Sequence, residues 1–430
     1  MTETTVRRPR LRSSSAWNLV GALAPMLLGV AVFPYLIATV HLEAFGVLTL
    51  IWALIGYFSV FDFGVGRALT HEVSRRHCAA STGELQLIVR TGLRIVGGMG
   101  AVGGLLLAAG ASELGTRWLN ISPALQQTAT HCLLICALGI PLTTLTTGYR
   151  GVLEGLEEFK AANVLRVLLG CANFGLPALS VLLFGPSLEY IVWSLVIARA
   201  VVLFAHAWVV RRHFPRTAQA EKTEPGTVRR LFSFGAWMTV SNTVGPLMVT
   251  ADRFIISNLL GGASVAFYTV PFDFIVRLLV IPAALTGALF PRFVSLFATD
   301  PAAFRHTYRK SLKTILLIML PVSAAIALGA RPGLALWLGD DFAAAAWPVA
   351  SLLAVGLLFN GLAQVPHAAL QASGGVKATA LLHTAELVFY VPLLYGGLLL
   401  FGIVGAAAAW TLRVFADMVV LLVLFHKRVP

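Results

Sequence analysis

Charge is scarce in this chain. Only 12% of its 430 residues are Asp, Glu, Lys or Arg, against roughly a quarter in an ordinary soluble domain. So few charges cannot cover a globular surface, and 58% of the residues are hydrophobic. A water-soluble enzyme is therefore excluded, and lipid has to be the solvent. Acidic residues are the scarcer sign, 19 against 32 basic, for a net charge of +13. That excess is spread between apolar runs rather than gathered in a patch, so no nucleic-acid partner is expected. Cysteine is rare too. Cys78, Cys132, Cys136 and Cys171 show no CxxC spacing, which leaves no disulfide framework. Cys132 and Cys136 lie one helical turn apart in an apolar run and read as small hydrophobic filler. No cofactor is implied.

Long apolar runs are what the chain has in quantity. A membrane-spanning helix needs about 20 such residues. Runs of that kind lie near 16–40, 45–66, 88–110, 122–147, 162–184 and 189–210, then near 234–260, 264–290, 314–331, 344–369, 379–400 and 403–425. The expectation is an all-α polytopic membrane protein of about twelve transmembrane helices. The first run follows Arg7, Arg8, Arg10 and Arg12 and is longer than a signal-peptide core of about 7–15 residues, so it reads as a retained first span.

Basic residues set the orientation. With the N-terminus cytoplasmic, twenty-three Lys and Arg fall in inside segments, and only Arg117 and Arg331 lie in outside loops. Both termini are expected in the cytoplasm of a bacterial inner membrane. The polar stretch from Arg211 to Arg230 reads as a flexible connection. It divides the chain into a six-helix bundle over 1–210, a linker over 211–233 and a second bundle over 234–430. Segment 292–313 reads as a short interfacial helix, with Asp300-Pro301 as its start signal.

The halves repeat. A shift of 217 residues sets Leu183-Phe184-Gly185 on Leu400-Phe401-Gly402 and Trp193 on Trp410; a shift of 220 sets Ala16-Trp17 on Ala236-Trp237 and Thr49 on Thr269. Six spans per copy keep both copies in one orientation, so a pseudo-twofold axis along the membrane normal is expected, with a cavity between two bundles. Pro25 and Gly245-Pro246 fall at nearly equivalent positions and mark bends in spans one and seven. Gly100 and Gly104 in span three mark close helix packing.

Some charges lie inside the spans. Arg90, Arg94 and Arg166 are near cytoplasmic helix ends and read as snorkelling anchors. Arg199, Arg277 and Arg413 fall near mid-membrane, with Arg253 nearer the outer side. A central arginine costs at least ~2.5–3.5 kcal/mol, so each has to face a partner or water. Asp273 and Arg277 are spaced i,i+4, as are Arg413 and Asp417, and Asp252 adjoins Arg253. These are either internally paired couples or groups that meet a ligand. Arginine suits phosphate through its planar, permanently charged fork. Asp62 and Glu386 are carboxylates that either bond a neighbouring helix or carry a coupling proton or sodium. Span histidines such as His131, His206 and His383 read mainly as backbone-bonded.

Several stretches carry a resemblance. Phe45-Gly46-Val47-Leu48 through Asp62-Phe63-Gly64-Val65-Gly66-Arg67-Ala68-Leu69 is similar to the second span of bacterial polysaccharide flippases. So are Tyr149-Arg150-Gly151-Val152-Leu153-Glu154-Gly155-Leu156, Asp252-Arg253-Phe254-Ile255 with Gly261 and Tyr268, and Leu370-Gln371-Ala372 followed by Gly402-Ile403-Val404-Gly405-Ala406-Ala407. The likeness covers nearly the whole chain. It implies the oligosaccharide flippase family, in the superfamily of multidrug exporters and the lipid II flippase: two six-helix bundles, alternating access, and a cavity lined by spans one, two, seven and eight. Carried over, the substrate-binding candidates are Asp62, Arg67, Asp252, Arg253, Asp273 and Arg277. Span one here lacks the basic residues of the lipid II flippase, which counts against that cargo. The function implied is translocation of an undecaprenyl-pyrophosphate-linked oligosaccharide, without enzymatic chemistry. Its partners would be that lipid-linked oligosaccharide, membrane lipid, a coupling proton or sodium, and a glycan polymerase or glycosyltransferase. Two alternatives stand beside it. A cation-coupled multidrug exporter would favour an acidic cavity, and a membrane-embedded glycan polymerase or ligase would need a larger external loop.

Overall fold

The computed structural model describes residues 11–62, 64–76, 82–214 and 251–428. The greater part of the expected linker 211–233 and residues 234–250 of the expected seventh span, Pro246 included, lie outside them. Among the described residues every regular element is helical. The helices are α1 (Leu11–Val40), α2 (Leu42–Tyr57), α3 (Val65–Arg76), α4 (Thr82–Glu113), α5 (Pro123–Gly155), α6 (Phe159–Phe184) and α7 (Leu188–His213). They continue as α8 (251–260), α9 (Gly262–Arg277), α10 (Val280–Thr299), α11 (Pro301–Leu338), α12 (Asp340–Ala372) and α13 (Val376–Arg428).

Among the described residues, eight helical stretches are long and apolar enough to cross a bilayer on their own. One of them runs through α13, which Gly402 divides at φ 58 and ψ −143. With α1, the α2–α3 pair and α8 added, about twelve crossings result, and the chain is a multi-pass membrane protein. Leu105, Leu182, Phe204, Leu328, Leu336 and Phe389 are all exposed, as lipid-facing side chains are.

Two of the spans are broken. After α2, residues Phe58–Asp62 form a 3-10 turn, and Gly64 takes a φ of 71 before α3 begins. Asp62 caps that turn: its Oδ1 accepts the N–H of Gly64 at 2.8 Å. Between α9 and α10 the chain turns at Leu278 and Leu279. Pro282 accounts for this break, because it removes a backbone donor and clashes with the carbonyl four residues back.

The chain forms two compact units. The first comprises Met1–His41, Ile55–Ser112 and Gln127–Thr239; the second comprises Leu42–Leu54, Glu113–Gln126 and Val240–Pro430. In the first, α6 packs on α1 and α7. The ends of α3 to α7 meet in a core of Leu69, Val73, Ile88, Val152, Leu153 and Val210. As expected, α4 and α5 approach closely at two glycines. A Cβ on Gly100 would lie 2.8 Å from Pro141 Cα, and one on Gly104 would lie 2.6 Å from Ala137 O.

In the second unit α12 is the central helix, packed on α9, α10, α11 and α13. Ser351 donates to Ala327 O at 2.8 Å and Thr411 donates to Leu352 O at 2.9 Å. Segment 292–313 is not a separate interfacial helix. α10 continues to Thr299 and α11 runs unbroken from Pro301 into the next span. Asp300 caps α11 by accepting from Ala302 and Ala303 at 3.0 and 2.9 Å, with Pro301 preset for the first helical position. Nothing between Pro301 and the span interrupts the helix, so the start signal was genuine and the stop was absent.

Candidate functional site

The charges of α8 and α9 come together in the second unit. Gly261, at φ 85, reverses the chain between the two helices, a conformation glycine adopts at little cost. Its N–H still bonds Ser257 O at 3.0 Å. The turn is held from outside: Asn258 Nδ2 donates to Trp118 O at 2.7 Å, and a Cβ on Gly46 would sit 1.9 Å from Gly262 O. Glu43 adds a bond from Ser122 N–H at 2.6 Å.

This hairpin sets Asp252 and Arg253 against α9. Asp252 is fully buried, and both its oxygens are used. Oδ1 accepts the N–H of Arg253 and Oδ2 the hydroxyl of Tyr268, each at 2.8 Å. Arg253 is buried as well and grips Asp273 with two nitrogens: Nη1 lies 3.4 Å from Oδ2, and Nη2 donates to Oδ1. A guanidinium fork on a carboxylate is a strong, geometrically specific pair. The Asp273 side chain remains one-third exposed, so the pair is sealed on the arginine side only. Arg277 is the last residue of α9, half-buried, with its guanidinium carbon 6.0 Å from the Phe274 ring centre.

The four candidates Asp252, Arg253, Asp273 and Arg277 thus form one cluster. Sequence spacing matched Asp273 to Arg277, whereas packing brings Arg253 onto it. Asp62 and Arg67 belong to the first unit, where Asp62 is buried in the turn before α3 and Arg67 is exposed. No sequence pattern marks Tyr268 as the donor to Asp252. Nor does any mark the aromatic layer beneath: Tyr268 stacks on Phe272 at 5.5 Å, and Phe272 meets Trp410 edge-on at 5.3 Å.

A second charged group joins the two halves of α13. Arg413 Nη1 lies 3.9 Å from Glu386 Oε2, and His383 Nδ1 lies 3.5 Å from the same oxygen. Asp417 is close by, with Oδ1 buried and unbonded. The couple expected between Arg413 and Asp417 is therefore a four-residue cluster centred on Glu386.

The fold is shared with solved transporters. The chain superposes on the inward-facing conformation of a multidrug resistance MATE family transporter of the MOP superfamily, with a TM-score of 0.74, 15% identity, and 96% and 94% of the two chains covered. It superposes equally on the lipid II flippase MurJ in its inward closed conformation, with a TM-score of 0.73, 14% identity, and 96% and 88% covered. Sequence then narrows the class. The profile of the polysaccharide biosynthesis protein family matches residues 11–297. A putative O-antigen transporter of Shigella flexneri is 34% identical over 414 residues, spanning 96% of this chain and 97% of that protein. An uncharacterized membrane protein of Bacillus subtilis strain 168, EpsK, is 25% identical over 390 residues, 87% of this chain and 75% of that one. The chain belongs to the polysaccharide biosynthesis protein family.

Proposed function

We propose that this protein is a flippase that moves an undecaprenyl-pyrophosphate-linked oligosaccharide from the cytoplasmic to the periplasmic face of a bacterial inner membrane. What carries the reading is the end-to-end likeness to the putative O-antigen transporter of Shigella flexneri. The sugar headgroup crosses through the protein while the polyprenyl tail stays in lipid, and no bond is made or broken. Bundles 1–210 and 234–430 alternate in access, with both termini cytoplasmic.

In this reading Arg277 meets the pyrophosphate. Arg253 is shielded and already holds Asp273, so it fixes that carboxylate at the edge of the site, while Arg277 at the end of α9 is more accessible. Asp252 and Tyr268 keep Arg253 in place, and Asp62 and Arg67 supply the first bundle's contribution. Glu386, with His383 and Asp417 beside it, is the carboxylate group suited to a coupling proton or sodium.

Deleting the gene should abolish surface glycan while lipid-linked oligosaccharide accumulates in the membrane fraction; unchanged surface glycan would reject the reading. Arg277→Lys keeps the charge and loses the fork, so it should impair export at normal membrane abundance, and Arg277→Ala should abolish it. Full export by Arg277→Ala would remove Arg277 from the site. Reporter fusions after Gly115, Gly261 and Asp341 should read periplasmic, and those after Arg76 and Thr223 cytoplasmic.

A further inference from the structure

The first unit holds a cavity of about 150 Å³ between α5, α6 and α7. Arg150 comes to it from α5, Arg166 from α6, and Arg199 and His206 from α7; among the described residues no carboxylate lines it. Thr143, Thr146 and Thr147 line it from one face of α5, with the hydroxyls of Thr146 and Thr147 donating to Leu142 O and Thr143 O. In sequence these arginines looked unrelated: a loop residue, an anchor and a mid-span charge. Helix packing turns them towards one space.

The hydrogen bonding around this space is incomplete. Arg199 is 3% exposed. Its Nη1 donates to Leu195 O at 2.7 Å and its Nη2 to Asn173 Oδ1 at 2.9 Å, both neutral acceptors, while its Nε has no partner. His206, 2% exposed, uses Nδ1 on Val202 O at 2.9 Å and leaves Nε2 without one. Thr143 Oγ1 is a third buried atom on the same wall with no partner. Native structures leave few buried polar atoms unbonded, and a buried guanidinium without a counter-charge is costly. At the edge, Arg150 Nε lies 3.3 Å from Glu154, and Arg166 donates to Asn163 Oδ1 at 2.7 Å.

We propose that this cavity is a binding site for a phosphate-type oxyanion. Such an anion offers acceptors, and it meets guanidinium N–H groups and the unbonded hydroxyl of Thr143; His206 Nε2 joins them as a donor when the ring is protonated, because Nδ1–H is spent on Val202 O. A cavity of this volume accommodates a guest about as large as benzene, which matches one phosphate-sized group. The anion is either free inorganic phosphate or pyrophosphate, or the phosphate of a polyprenyl lipid. The inference concerns binding within the first unit and stands independently of the transport reading.

The test uses the full-length chain purified in detergent. Its melting temperature and heat of binding are followed with sodium pyrophosphate, inorganic phosphate and potassium chloride at matched ionic strength. A parallel series uses phosphatidylcholine nanodiscs with and without polyprenyl phosphate. Either phosphate source should stabilise the chain beyond matched chloride, and the nanodisc series separates lipid from free anion. Arg150→Gln and Arg166→Gln, near the α5–α6 connection, should each weaken binding by about tenfold, the loss expected for one charge-assisted contact. Arg199→Gln should weaken it further; if that variant does not fold, the other two still decide. Arg117→Gln, an exposed arginine outside the cavity, should retain the response. Stabilisation equal to that by chloride would overturn the proposal. So would binding unchanged in Arg150→Gln and Arg166→Gln, or a response weakened equally by Arg117→Gln.

Discussion

The layer α5–α6–α7 of the first unit and the layer α12–α13 of the second follow one backbone plan and carry different chemistry. α5 and α12 are both 33 residues long and lie 217 positions apart. The same offset pairs the positive-φ residues Glu157 and Gly374, and again Gly185 and Gly402. An offset of 220 pairs His41 with Gly261, and sets the end of α2 at Phe58 against the end of α9 at Leu278. The charges do not follow. Arg150 and Arg166 correspond to His367 and His383, and Leu169 of the first cavity corresponds to Glu386. Asp252, Arg253, Asp273 and Arg277 correspond to Val32, Phe33, Ala53 and Tyr57. Turns and helix ends are thus fixed by backbone demands common to both halves, while side chains between them were free to diverge. A repeat of form need not be a repeat of function.

The comparison is tested most severely where charge is present in one half only. Asp273→Ala leaves Arg253 buried beside an empty place and should cost ~3–5 kcal/mol, read as lost membrane abundance and a lower melting temperature in detergent. Combining Arg253→Met with Asp273→Leu, which copies the apolar character of Phe33 and Ala53, should recover much of it. No recovery would mean the charged cluster does more for folding than pair with itself. Next comes α13. Because Arg413 approaches Glu386, Glu386→Gln should cost about 3 kcal/mol, and Asp417→Asn only about 1 kcal/mol. The reverse order would make Asp417 the main partner of Arg413.

Smaller effects probe the shared turns. Gly185 has φ 84 and ψ 178, and Gly402 has φ 58 and ψ −143. These are regions closed to side chains, so alanine at either site should cost ~1–3 kcal/mol. A cost at one site alone would break the equivalence. The smallest change should be a gain. His41 holds φ 65 and ψ 155 where its counterpart is a glycine. His41→Gly should therefore stabilise the protein by about 1 kcal/mol, measured as a rise in melting temperature.

The spans were legible because lipid demands a run of apolar residues, and such runs are read one residue at a time. The repeat was legible in ordered matches such as Leu183-Phe184-Gly185 with Leu400-Phe401-Gly402 and Trp193 with Trp410. The pairing of charges was not. An i,i+4 partner such as Arg277 for Asp273 is always at hand within one helix, whereas Arg253 reaches Asp273 only once Gly261 has folded α8 back on α9. Asp62 also shapes the turn before α3, its carboxylate accepting the N–H of Gly64, and no spacing in the sequence marks that bond. The breaks at Phe58 and Leu278 lie inside long apolar runs, where hydropathy carries no mark of them. The cavity of Arg150, Arg166 and Arg199 joins three helices, and no linear pattern joins its members.

Gly402 has a consequence for the length of the chain. It alone separates the two crossings of α13, and a Cβ on Gly405 would lie 1.9 Å from Gly397 O, so no slack loop exists there. Each helical residue turns the chain by roughly 100°. One residue inserted between Gly402 and Trp410 would swing the following crossing through that angle. Trp410 would leave Phe272, and Arg413 would leave Glu386. This corner therefore tolerates substitution far better than insertion or deletion, and relatives that keep both contacts should keep its residue count.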